Sequence, residues 1–391
     1  MNAEYVERQL EKTSSLTTRE NCLISLSFGK DVTDEAFHTL TDDLDLDTAN
    51  QNYLLMLSCL GFAKGWERFP PEMVPRLKGL HRYHQAHISM GIPWLVRQIR
   101  RLTDEGIPVM LLKGVAVLAY YAPGRPRIMS DYDLAVPEEQ FDRAVKLLLD
   151  SGNTLVHKSA HSTCLKGSRD EIDLHRWIFK MHNERFSDIW EHAEMFHFHG
   201  VDVHVPAQED MLIHLLETQS HNYFLLENST RRMQWLYDCR DIWAYSGGLD
   251  LERLAARAGE LHVMIRMRMM LRIFMQCFPG LIKPEEFERY FPRTPEYDKL
   301  LVNGEKSKNA YGRYRSYGYN EQSAMTPVHI WRGLRYEMIH YRYLKPELKW
   351  IDPNINFFRF VKIVYRLDGF FDLAKGYLSR IRLFEKCKGG D

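Results

Sequence analysis

The chain has 391 residues, 45% of them hydrophobic and 27% charged, with 52 basic side chains balancing 52 acidic ones. That length supports one large core or two to three smaller ones, and the composition is that of an ordinary globular protein. Zero formal net charge excludes a global pull toward nucleic acid or anionic lipid, and the lack of any apolar run of about 18 residues excludes a membrane-spanning helix.

Residues 1–103 read as helices. Leu54-Leu55-Met56-Leu57 is a short apolar run, and Leu95, Ile99 and Leu102 recur at helical spacing. Phe69-Pro70-Pro71-Glu72 divides the region, and its last helix, 76–104, is expected to kink or restart at Pro93. The opening residues are charged and polar, with no secretory signal visible. The six cysteines, Cys22, Cys59, Cys164, Cys239, Cys277 and Cys387, form no CxxC pair. They predict free, mostly buried thiols in a reducing cytoplasm.

Residues 104–205 change character. The run 107–112 reads as a buried strand, and 115–121 as a helix that begins at Gly114. A strand is expected over 127–136, followed by a helix opened by Pro137 with Phe141, Ala144, Val145, Leu148 and Leu149 on one face. Two more strands fit at 162–167 and 170–177, and a hairpin at 195–205 turns around Gly200. From 206 to 391 the chain reads as helical again, interrupted by a long exposed loop over 306–322. The expected class is α+β: a mixed-sheet core (104–205) between an N-terminal helical region (1–103) and a C-terminal one (206–391) with a basic tail.

The chemistry concentrates in the middle. Ser130-Asp131-Tyr132-Asp133-Leu134 places two carboxylates on one face of a strand, about 7 Å apart along it. Glu171-Ile172-Asp173-Leu174-His175 supplies a third, Asp173, if its strand pairs alongside, with His175 on the same face. Three carboxylates so close repel one another unless a cation joins them. Mg2+ favours few carboxylates plus phosphate and water oxygens, so the cluster suits a metal–nucleoside triphosphate. Upstream, Leu112-Lys113-Gly114-Val115 ends a strand in a glycine turn where Lys113 and Gly114 can meet phosphates. Arg127 and Ser130 lie between turn and carboxylates, and Arg127 is a candidate bidentate phosphate clamp.

The order Leu-Lys-Gly, Ser-Asp-Tyr-Asp-Leu, Ile-Asp-Leu-His resembles the DNA polymerase β-type nucleotidyltransferase superfamily. It is most similar to a branch of uncharacterised bacterial nucleotidyltransferases in which Leu-Lys-Gly replaces Gly-Ser. Val205 to Leu215, Arg232 to Asp238 and Asp241-Ile242 resemble that branch's following helices, so the likeness covers roughly residues 85 to 260. The resemblance implies a nucleotidyltransferase-type core and an ATP- or other NTP-binding, magnesium-dependent transferase, with Mn2+ as the alternative ion. It implies Asp131, Asp133 and Asp173 as catalytic metal ligands, and Lys113, Gly114, Arg127 and Ser130 at the nucleotide. The acceptor, the base, the oligomeric state and the pathway are not named by it. One departure stands out: Val115 follows Gly114 where better-known members carry a Ser or a second Gly, and valine cannot donate to a phosphate.

Other candidates carry less. His175 and Trp235 are possible substrate contacts. His192, His197, His199 and His204 look zinc-like but match no strong spacing. His214 and His221 share a helix face, and Arg231, Arg232, Trp235 and Asp238 are placed to face the cleft. Residues 301–391 hold 17 Lys/Arg against 9 Asp/Glu. An anionic lipid surface (a peripheral membrane contact) or RNA is one reading of that excess, and solvated cations on a helical bundle another. No duplex footprint is expected. The rival to an enzyme is a nucleotide-binding or scaffold protein that keeps the fold without turnover.

Overall fold

The computed structural model describes residues 2–28, 30–41, 69–121, 127, 129, 131–158, 161–167, 170–179, 188–223, 232–316 and 338. Ser130, Arg125, Arg231, the apolar run 54–57 and the basic tail 345–391 lie outside them, as does the side chain of His221.

Seven strands form one mixed sheet. They are β1 (Met110–Leu111), β2 (Tyr132–Ala135), β3 (Thr154–Lys158), β4 (Ser162–Lys166), β5 (Glu171–His175), β6 (Glu194–Phe198) and β7 (Val201–Val205). Their order is β3-β4-β5-β2-β1-β7-β6. The pairs β2–β5 and β1–β7 are parallel and the rest antiparallel. The α+β expectation is met, with the first strand shorter than 107–112 and the Asp-x-Asp strand starting only at Tyr132.

Helix α1 (Ala3–Ser14), α2 (Thr18–Ser27) and α3 (Asp34–Thr41) precede the long α4 (Val74–Thr103). Helix α5 (Lys113–Ala116) is one turn at the end of β1, and α6 (Phe141–Asp150) follows β2. The short α7 (Asp188–His192) leads into β6. Beyond the sheet come α8 (Gln208–Tyr223), α9 (Arg232–Ala244), α10 (Leu251–Glu260), α11 (Met264–Cys277), α12 (Pro284–Tyr290) and α13 (Pro295–Ser316).

Alternation divides the sheet's work. Tyr132 and Leu134 of β2, Ile172 and Leu174 of β5 and Leu165 of β4 are buried on the face covered by α4 and α6. Helix α6 lays Phe141, Ala144 and Leu148 on this face, as its periodicity predicts. Helix α4 runs through Pro93 as one element, where a kink or restart was expected. Gly91 in the preceding turn leaves the space that the Tyr132 hydroxyl fills: a Cβ there would lie 2.0 Å from it. The opposite face carries Asp133, Asp173 and His175.

One strand was not foreseen and one expected loop is helical. Strand β3 was not anticipated, because all five of its residues are exposed and it shows no buried face. The loop expected from Lys306 is helix α13 as far as Ser316, anchored by buried Tyr297, Leu300 and Leu301 in its first turns. The N-terminal and C-terminal helices also meet: α1 packs on α11 and α13, and its buried Glu7 accepts from Tyr297 Oη at 2.7 Å and pairs with Arg293 at 2.7 Å. The hairpin β6–β7 turns at His199-Gly200, both at positive φ (47° and 85°), which glycine at the second position allows without strain.

Candidate active site

Strand register assembles the site. Parallel pairing sets Asp133 beside Asp173 and Ala135 beside His175, so a carboxylate from each strand projects from the same face, with His175 two residues on. His175 Nε2 lies 3.0 Å from Asp133 Oδ1 and 3.3 Å from Asp173 Oδ2. Asp133, Asp173 and His175 are the group among the described residues whose ligand atoms, all within 4.8 Å of one another, can hold a metal ion. Asp131 sits one residue ahead of β2 and half-buried. It stands outside this tight group, yet its charge is felt at Lys113 and at Cys164 of β4.

Lys113 closes the site from the side of β1. The chain leaves β1 through Leu112, whose N–H donates to Asp133 O at 2.9 Å, and then takes Lys113 into the left-handed region at φ 44°. That conformation is strained for a side chain with a Cβ. It brings Lys113 Nζ to 2.5 Å from Asp133 Oδ1 and 3.4 Å from His175 Nε2. Burial works against both charges of this pair, but each outweighs the cost for the other. Asp133 is held far below the usual carboxylate range by the Lys113 charge and the His175 hydrogen bond. Lys113 is raised by Asp133, then by Asp173 and Asp131. Burial also opposes a charged His175, and its bonds to the two carboxylates overcome that and raise its pKa.

A divalent cation fits these donors. Asp173 Oδ1 is buried with no hydrogen-bond partner, an orphaned hard oxygen of the kind Mg2+ or Mn2+ accepts. The side chain of Lys113, one-quarter exposed, already brings its positive charge to Asp133.

The remaining candidates fall elsewhere. Gly114 and Val115 are buried, Val115 wholly so, so the position that would carry a phosphate-binding hydroxyl points into the core. Arg127 is buried and held bidentately by Asp238 of α9, Nε to Oδ1 at 3.1 Å and Nη2 to Oδ2 at 2.8 Å, an engagement that the sequence reading did not foresee. Tyr121 Oη donates to the same Asp238 Oδ1 at 2.5 Å. Trp235 is buried in the apolar core. His214 is buried under the site, its ring 5.4 Å from Phe179. The zinc-like histidines do not converge. His197 is paired with Asp202 at 2.8 Å, His192 faces the Asp188 carbonyl and His204 packs edge-on to Trp190. Cys22, Cys164, Cys239 and Cys277 are buried and form no disulfide, and no helix of the described residues is long and apolar enough to cross a membrane.

Sequence reasoning missed the Tyr121–Asp238–Arg127 cluster as a unit. Its three members lie on separate segments and follow no shared period; the only signal was that Arg127 and Asp238 are charged residues inside segments that bear a family likeness.

No curated protein matches the chain. Among solved structures it is similar to the antibiotic-resistance factor ANT(2″)-Ia, known from a solution structure, at 11% identity and a TM-score of 0.31, over 39% of this chain and 83% of that one; a likeness that weak carries no argument. The family model described as "uncharacterised nucleotidyltransferase" matches residues 44–279, more than half of the chain. The chain therefore belongs to the uncharacterised nucleotidyltransferase family and is an enzyme of that transferase class.

Proposed function

We propose that the enzyme moves an NMP group from an NTP to an acceptor hydroxyl, amine or phosphate, with pyrophosphate leaving, in a reducing cytoplasm. The acceptor class is a small molecule, a sugar or a peptide or protein side chain. The observation that carries this reading is the register pairing of Asp133 with Asp173, with the Lys113 ammonium against it.

In this reading Asp131, Asp133 and Asp173 hold Mg2+, or Mn2+ in its place, and His175 orients two of those carboxylates. When bound, the metal activates the attacking oxygen and neutralises charge on the leaving pyrophosphate. Asp173, whose side chain is 21% exposed against 10% for Asp133, is the more accessible carboxylate. It faces the acceptor and is suited to take its proton. Lys113 exchanges Asp133 for a phosphate oxygen as the nucleotide enters, giving by charge what Val115 cannot give by hydroxyl, and Gly114 keeps the turn narrow. The contribution of these residues is positioning and charge neutralisation rather than covalent chemistry. The helical flanks, 1–103 and 206–391, shape the acceptor pocket around the 104–205 core.

Calorimetric titration of each of the four NTPs with Mg2+, on the wild type and on Asp131→Asn/Asp133→Asn, tests the reading. Metal-dependent binding that the double variant loses supports it. No binding of any NTP by folded wild type removes the simple enzyme scheme.

A further inference from the structure

The Lys113 turn lies against a distant part of the chain. Gly114 follows Lys113, and the space of its absent side chain is taken by Arg127: a Cβ on Gly114 would lie 2.3 Å from Nη1 and 3.0 Å from Cζ of the guanidinium. Arg127 is 7% exposed, and two of its nitrogens are fixed by Asp238, itself 2% exposed and buttressed by Tyr121. A bidentate guanidinium–carboxylate pair is geometrically stiff. One that lies directly on the backbone of a turn limits where that turn can go. Helix α9 thus reaches, through Asp238 and Arg127, Gly114, the residue after Lys113, whose φ of 44° brings its ammonium to Asp133.

We propose that Asp238 is a positioning residue for the reaction. It acts through Arg127, which clamps Gly114 and so keeps Lys113 Nζ aimed into the carboxylate site. This rests on the reading of Lys113 and Gly114 as the nucleotide's phosphate turn. It also moves Arg127 from direct phosphate contact to support of that turn, and it gives α9 a means of influencing the nucleotide end of the site. The requirement for glycine at 114 then comes from the guanidinium stacked on it, with its φ playing no part.

Removing Asp238 alone leaves a buried, unpaired guanidinium and risks unfolding. The test therefore removes both charges together, in Arg127→Met/Asp238→Leu, and pairs this with Gly114→Ala, which keeps both charges and displaces the guanidinium. Asp238→Glu serves as the conservative variant. Two quantities are read on each protein: the acetylation rate of Lys113 by an amine-reactive ester, resolved by peptide mass spectrometry with Lys166 as internal control, and the affinity for each Mg·NTP. Melting temperature establishes folding.

The expected result is a folded double variant in which Lys113, no longer aimed at Asp133, is acetylated severalfold faster, while Lys166 is unchanged and NTP affinity falls in parallel. Gly114→Ala is expected to match it, and Asp238→Glu to recover part of the protection. Unchanged Lys113 acetylation in either folded variant, the alanine one sufficing if the double variant does not fold, overturns the proposal and leaves the pair a structural ion bridge. Wild type that binds no NTP, with Lys113 still exposed by the variants, refutes the phosphate-turn reading and leaves the clamp standing.

Discussion

The two sides of this site are built in different ways. The carboxylate side comes from strand alternation and one parallel register, so Asp133, Asp173 and His175 meet through β2 and β5 alone. The turn side depends on a helix more than a hundred residues downstream, because Lys113 is aimed by a backbone that Arg127 and Asp238 hold. Local periodicity is enough to place chemical groups on a sheet face. Placing a single ammonium at a strained turn takes long-range packing, since nothing local repays the unfavourable φ.

The largest effect is expected where the two sides join. Asp133→Ala deprives both Lys113 and His175 of their shared carboxylate. It is expected to abolish metal-dependent NTP binding and to lower stability by about 2 kcal/mol, below the roughly 3–5 kcal/mol of a fully buried broken pair because the Lys113 side chain is partly exposed. Calorimetry and urea unfolding check the two parts. Unchanged stability would mean that the pair is not formed and that the sides are uncoupled.

The next effect probes the floor under the carboxylates. Gly91→Ala drives a methyl group into the Tyr132 hydroxyl and is expected to cost about 1–3 kcal/mol, as overpacking does. Adding Tyr132→Phe should recover part of that. Thermal melts of the two variants decide it, and no recovery would place the clash elsewhere.

The third is a pH dependence on the turn side. His214, on the helix packed against α5, is held by burial to a pKa of about 3 against an ordinary 6.5. The unfolded chain therefore takes up a proton that the native state refuses. Stability is complete above pH 6.5 and falls as pH drops toward 3, by at most about 1.4 kcal/mol per pH unit. His175 does not mask this, because its raised pKa gives a contribution already complete below 6.5. Urea unfolding of wild type and His214→Asn between pH 6.5 and 4.5 should show a shallower slope in the variant; equal slopes would contradict the assignment.

The smallest effect is a control remote from both sides. Gly200→Ala at the β6–β7 turn (φ 85°) is expected to cost about 1 kcal/mol and to leave NTP binding unchanged. A change in binding would show that the hairpin is coupled to the site.

This contrast also explains what the sequence made legible. Alternation in Asp131-Tyr132-Asp133 and Asp173-Leu174-His175 revealed the carboxylate face. The apolar stripe of α6 and the Gly200 turn were equally plain, because each is a local signal. Strand β3 was hidden because, at the sheet's edge, it buries nothing. The helix from Lys306 was hidden because Tyr, Gly and Ser are weak helix formers, and buried Tyr297, Leu300 and Leu301 upstream anchor it. Arg127 read as a phosphate ligand because its chemistry suits that role; only the fold brings Asp238 to it.

Isotope position decides whether the carboxylate pair serves nucleotidyl transfer. The wild type is incubated with Mg2+, extract of the cells that make it, and NTP labelled at either the α- or the γ-phosphate. Label from the α position alone should appear on an acceptor with wild type, and not with Asp133→Asn. Acceptor label that comes from the γ position, or that persists undiminished in Asp133→Asn, would rule out nucleotidyl transfer at this pair.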